Sequence, residues 1–127
     1  MKTLFTLVES PSTPHFPQLY LELGIEAVLF DSARNLHRAL QKKVPDFFVG
    51  EFMYGWGNDY AGNTLCNLDV TLRTLQFKAP KAKIIVTMHA REAPHIDKLL
   101  AHFPVHAVLK YPVLESDMRA LLTEVAT

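Results

Sequence analysis

Five short apolar runs recur along the chain, separated by segments whose apolar residues fall at helical spacing. Leu4–Val8, Ala27–Phe30, Phe47–Phe52, Ile84–Thr87 and Ala107–Leu109 read as strands. Between them, Phe16–Leu23 places Phe16, Leu19, Tyr20 and Leu23 on one helical face, and Gly24 follows where a helix-ending glycine belongs. Asp31-Ser32 caps a second helix over Ala33–Lys43, with Ala33, Leu36, Ala39 and Leu40 apolar, and Pro45 stops it. A third helix is expected from Thr64 to about Phe77, and a fourth from Ala93 or Pro94 to Phe103. The fifth is expected over Ser116–Val125 with Ser116 as its cap. Strands that alternate with helices imply βαβ units and a mainly parallel sheet. Five such units close naturally as an α/β, doubly wound, flavodoxin-like three-layer sandwich, strand order 2-1-3-4-5, with residues 1–127 as a single domain.

Three of these strands end on a charged residue: Glu9 after the first, Glu51 after the third and Lys110 after the fifth. In an open parallel sheet the ligand crevice lies at the carboxyl ends of the strands. If these strands are neighbours, two carboxylates and one ammonium converge there. Two close carboxylates without a metal would force one of them to titrate high. A carboxylate and an ammonium would pair, because an unpaired buried charge is costly.

The bulk composition narrows the classes. Thirteen basic and thirteen acidic residues balance, so no overall field draws nucleic acid or an anionic membrane. One cysteine, Cys66, forms no internal disulfide and fits a reducing compartment. No apolar stretch approaches the roughly 20 residues of a membrane span. Met1-Lys2-Thr3 runs straight into a strand without the long apolar core of a signal peptide. The expectation is a soluble cytoplasmic protein, complete from Met1 to just beyond the fifth helix.

Other chemistries lack their motifs. The six histidines, at positions 15, 37, 89, 95, 102 and 106, show no zinc-ligand spacing. His89, which follows the fourth strand near the crevice, is the one placed to make a polar contact there. No nucleophile-elbow serine, dinucleotide fingerprint or phosphate-binding lysine loop occurs. Gly55 and Gly57 in the loop Tyr54–Asn63 are not followed by a lysine or helix start at the spacing a nucleotide cradle requires. That loop does hold Tyr54, Trp56 and Tyr60, aromatics that serve either as an interface or as a cover over Glu51.

Four local patterns resemble the receiver domain of bacterial two-component response regulators, over nearly the whole chain. They are Val8-Glu9-Ser10, Leu23-Gly24-Ile25-Glu26-Ala27, Pro45-Asp46-Phe47-Phe48-Val49-Gly50-Glu51 after Ala39-Leu40, and Val108-Leu109-Lys110-Tyr111-Pro112. In receivers an aspartate ending the third strand accepts a phosphoryl group, and an acidic pair on the first strand helps to hold Mg²⁺. A lysine on the fifth strand and a Thr or Ser on the fourth contact the phosphoryl oxygens. The resemblance places Glu51 at the acceptor, Glu9 and Ser10 at the acidic pair and Thr87 at the hydroxyl, with Met88 if the alignment slips. Either Lys110 keeps the lysine's place, or Pro112 keeps its own and Tyr111 replaces the lysine.

The chain departs from that pattern at nearly every chemical position. Glu51 sets its carboxylate one methylene further out, about 1.5 Å, and a misplacement of about 1 Å can cost ~100-fold in rate. The resemblance thus implies a degenerate, or pseudo-, receiver. Such a chain would be a stand-alone signalling protein that acts by protein–protein interaction, is not an enzyme and needs no cofactor. Its expected partner is a protein, or a second copy, on the helix 4–strand 5–helix 5 face, where Tyr111, Val113 and Leu114 would contribute. Neither nucleic acid nor membrane is expected to bind. Two alternatives stand beside it: Mg²⁺-dependent phosphotransfer at Glu51, with weak Mg²⁺ binding by Glu9 and Glu51, and a small-molecule sensor with the Tyr54–Tyr60 loop as its lid.

Overall fold

The three inner strands of the central sheet are buried on both sides, because helices cover both faces. The computed structural model describes residues 2–8, 13–53 and 68–126, with only the backbone at Asp69 and at 124–126. The strands are β1 (Lys2–Leu7), β2 (Ile25–Phe30), β3 (Phe47–Glu51), β4 (Lys83–Met88) and β5 (Ala107–Lys110). The helices are α1 (Pro17–Glu22), α2 (Ala33–Leu40), α3 (Asp69–Lys78), α4 (Ile96–Leu100) and α5 (Glu115–Ala126). All strand pairs are parallel and the order is β2-β1-β3-β4-β5. The expected doubly wound α/β sandwich is thus the observed one.

Alternation along the strands sorts the core into two layers. Phe5, Leu7, Phe48, Ile84 and Val86 pack with Leu36 and Leu40 of α2, Leu72 and Leu75 of α3, and Leu99 of α4. Leu4, Phe47, Val49 and Ile85 pack with Leu19 and Tyr20 of α1 and with Met118 and Leu122 of α5. Each fully buried Leu or Phe contributes roughly 1.5–3 kcal/mol. Among the described residues, no helix is long and apolar enough to cross a membrane.

Several boundaries differ from the expected ones. Pro17 opens α1, where its missing N–H costs nothing, and Phe16 takes the flanking position. Helix α2 ends at Leu40, three residues short of Lys43, because Pro45 disfavours helical backbone before it and the chain must turn into β3. The Ser32 hydroxyl does cap it, accepting from the Asn35 N–H at 3.2 Å. The expected fourth helix divides into a 3-10 segment, Ala90–His95, and the short α4, with Pro94 inside the former. Helix α5 starts at Glu115, so Ser116 lies inside it; the first carbonyl used is that of Leu114. The expected start of the third helix at Thr64 lies outside the described residues.

Two glycines carry backbone requirements. Gly24 ends α1 at φ 70°, the left-handed region that favours glycine. Gly50 sits where a Cβ would come within 2.8 Å of the Phe48 ring and 3.0 Å of Leu68.

Candidate functional site

The carboxyl ends of β3, β4 and β5 form the floor of a crevice. Register sets the participants: Glu51 lies across from Thr87, and Thr87 from Leu109. The Tyr111 N–H donates to the Met88 carbonyl at 2.9 Å, carrying the ladder one residue beyond β5. Side chains alternate, so Glu51, Thr87 and Tyr111 point to the α1–α5 side, whereas Met88 and Lys110 point to the other.

Three polar groups meet there. The Tyr111 hydroxyl donates to Glu51 Oε1 at 2.9 Å and lies 2.7 Å from Thr87 Oγ1. A phenol has one proton to give. With that proton on Glu51, the Thr87 hydroxyl donates to Tyr111, and the chain of bonds runs Thr87 to Tyr111 to Glu51. Glu51 is 2% exposed and Thr87 fully buried. Burial is the largest effect on the Tyr111 phenol and pushes its pKa well up; the Glu51 carboxylate adds to this, and Thr87 opposes it. Tyr111 therefore stays a neutral donor.

His89 completes the group. Its Nε2 lies 3.9 Å from Glu51 Oε2, beyond hydrogen-bond length. Its ring meets that of Tyr111 edge to face, with centroids 4.6 Å apart and planes at 69°. The position after β4 singled out His89 in the sequence, and the structure brings it to Glu51.

The other expected site residues are distributed as follows. Of the two readings of strand five, the structure brings Tyr111 rather than Lys110 to Glu51. Lys110 is exposed and, among the described residues, makes no ion pair with Glu51. The reason is strand alternation: a lysine one residue earlier faces the opposite side of the sheet. Thr87, not Met88, faces the crevice, while Met88 is buried in the α2–α4 layer. Val113 packs partly buried on the α1–α5 layer, and Leu114 is 57% exposed. Glu9, Ser10, Tyr54, Trp56, Tyr60 and Cys66 lie outside the described residues. Sequence reasoning missed Pro14 and Phe16, which line a cavity beside Tyr111. Phe16 carried no signal other than its place on the apolar face of α1.

Of the two carboxylates expected to hold Mg²⁺, Glu51 lies among the described residues and Glu9 outside them. Among the described residues the floor supplies one carboxylate, Glu51, whose Oε1 accepts from Tyr111. Among the described residues no group of three or more His, Cys, Asp or Glu side chains is placed to hold a metal.

No family model matches the chain, and no curated protein resembles it in sequence. Solved structures do resemble it in fold. A response regulator receiver domain protein from Clostridium thermocellum matches with TM-score 0.74 at 14% identity, over 98% of this chain and 94% of that one. A response regulator receiver protein from Sinorhizobium medicae matches with TM-score 0.69 at 12% identity, over 98% and 93%. An adenylate cyclase from Rhodopirellula baltica matches with TM-score 0.71 at 12% identity, over 98% and 86%. The chain thus has the receiver fold.

Proposed function

We propose that this chain is a regulatory signalling module of the receiver type, working through protein contact and without phosphotransfer. The observation that carries this reading is the bond chain from Thr87 through Tyr111 to Glu51. Phosphoryl transfer depends on cations that neutralise the charge developing on the transferred group. Here a neutral phenol stands where a lysine would, and the carboxylate at the acceptor position is already held by it. Glu51 would act as a fixed part of the crevice, keeping the molecule in one electrostatic state. Such a module has no catalytic residue.

The partner surface we assign is the α4–β5–α5 face, for a protein partner or a second copy of this chain. Strand β5 is an edge of the sheet, and Leu100 and Leu114 are exposed along that side. Isolated exposed leucines are ordinary; two flanking one sheet edge make an apolar contact available.

Intact-mass spectrometry after incubation with acetyl phosphate and Mg²⁺ tests the reading, with Glu51→Gln beside the wild type. No added mass in either is expected. A phosphoryl adduct on the wild type alone would overturn the reading and make Glu51 an acceptor.

A further inference from the structure

A cavity of about 520 Å³ adjoins the crevice floor, lined by Pro14, Phe16, His89, Tyr111, Pro112 and Val113. Small-molecule sites span roughly 300–1,000 Å³. Three of the six described lining residues carry aromatic rings. His89 and Tyr111, meeting at 69°, make a corner of two ring planes, and Phe16 supplies the third. Among the described residues, no ammonium or guanidinium group lines the cavity. Immediately behind the corner lies the buried Glu51 carboxylate, 2.9 Å from the Tyr111 hydroxyl and 3.9 Å from His89 Nε2.

This combination selects by charge. Aromatic faces carry negative potential and attract cations within about 6 Å. A buried carboxylate that accepts from the neutral Tyr111 phenol adds to that potential over short range. Among the described lining residues an anion would find no ammonium or guanidinium partner. The proline and valine walls offer no hydrogen bonds from side chains, which favours a cation that carries its own apolar shell. We propose that the cavity binds a small alkylated ammonium compound, its charged head on the Phe16, His89 and Tyr111 rings with Glu51 as the buried counter-charge.

The proposal needs the Tyr111-filled crevice and not the absence of phosphotransfer. A phosphoryl adduct at Glu51 would therefore sink the regulatory reading while the ligand titration stood on its own result.

The test compares choline with its neutral carbon isostere, dimethylbutanol, by NMR titration of the full chain. Choline should shift resonances of Phe16, His89, Tyr111 and Val113 in the millimolar range or below, and bind at least about fivefold more tightly than the isostere. Phe16→Leu keeps an apolar side chain in the α1 packing and removes one ring. It should weaken choline several-fold and leave the isostere nearly unchanged. Glu51→Gln should reduce the preference for choline in the same direction. Equal binding of both compounds would overturn the proposal, as would choline shifts confined to residues away from the cavity, or no binding of either. Unchanged choline affinity in a folded Phe16→Leu variant would also overturn it.

Discussion

Tyr111 reaches from just beyond β5 to Glu51 at the end of β3 and donates its phenol proton across 2.9 Å. The same hydroxyl lies 2.7 Å from Thr87 on β4, so one side chain ties three adjacent strand ends together. The link is neutral on the phenol side and anionic on the glutamate side, which distinguishes it from a lysine–carboxylate pair. Its energy comes from satisfying polar groups that burial has removed from water.

The two bonds should behave as one unit. Tyr111→Phe removes a donor from buried Glu51 and should cost about 1–3 kcal/mol in urea unfolding. Thr87→Val should cost about 1 kcal/mol. The double variant should lose less than the two single costs together, with a coupling of at least about 0.5 kcal/mol. Strict additivity would mean that the hydroxyls do not act through each other.

Restoring the receiver chemistry requires both ends of the link. On the proposed reading, Glu51→Asp combined with Tyr111→Lys should gain acetyl-phosphate labelling about 100-fold above wild type, while either change alone recovers little. Time courses of intact mass read this directly. Strong labelling of the single Glu51→Asp variant would show that Tyr111 is no obstacle.

Gly50, just before Glu51, lacks room for a methyl group. A Cβ there would lie 2.8 Å from the Phe48 ring and 3.0 Å from Leu68, and Phe48 is fully buried. Gly50→Ala should therefore destabilise by about 1–3 kcal/mol through overpacking. A thermal-unfolding midpoint equal to wild type would contradict the tight packing under Glu51.

Alkali should weaken the fold through Tyr20. Burial pushes its phenol up to about 12, and the Phe16 backbone opposes this only weakly, since the hydroxyl has no hydrogen bond of normal geometry. The unfolded phenol titrates near 10, so the unfolded chain loses its proton first. The stabilisation is complete below about pH 10 and is lost as pH rises towards 12, on the order of 2–3 kcal/mol in all. Tyr20→Phe should flatten this part of the urea-midpoint profile and change stability little at pH 7. An unchanged alkaline slope would assign it to other groups, of which Tyr111, also shifted up, is the first to examine.

The strand–helix alternation was legible because each element's apolar spacing is local information. Leu36 and Leu40 on α2, Phe47 to Val49 in β3 and Leu19 with Tyr20 on α1 all announced buried faces, and each is buried. Glu51 at the end of β3 followed from the same pattern, since a strand's last residue stands at the crevice whatever its identity. The edges of elements were less legible. The shortened α2 and the division of the fourth helix depend on how Pro45 and Pro94 compete with neighbouring turns.

Strand five marks where local information ended. Lys110-Tyr111-Pro112 is compatible with either side chain entering the crevice, and with a side-chain period of two the choice reverses on a shift of one residue. Only the pairing of β5 against β4, with Met88 opposite Lys110, turned Lys110 away and Tyr111 inward. The cavity beside it was beyond sequence reach for the same reason. Phe16 and Tyr111 are far apart along the chain and become neighbours only when α1 packs on the sheet. The sequence by itself determined which segments are strands and which carboxylate ends β3. The register between strands, a property of the assembled sheet, decided which side chain that carboxylate meets.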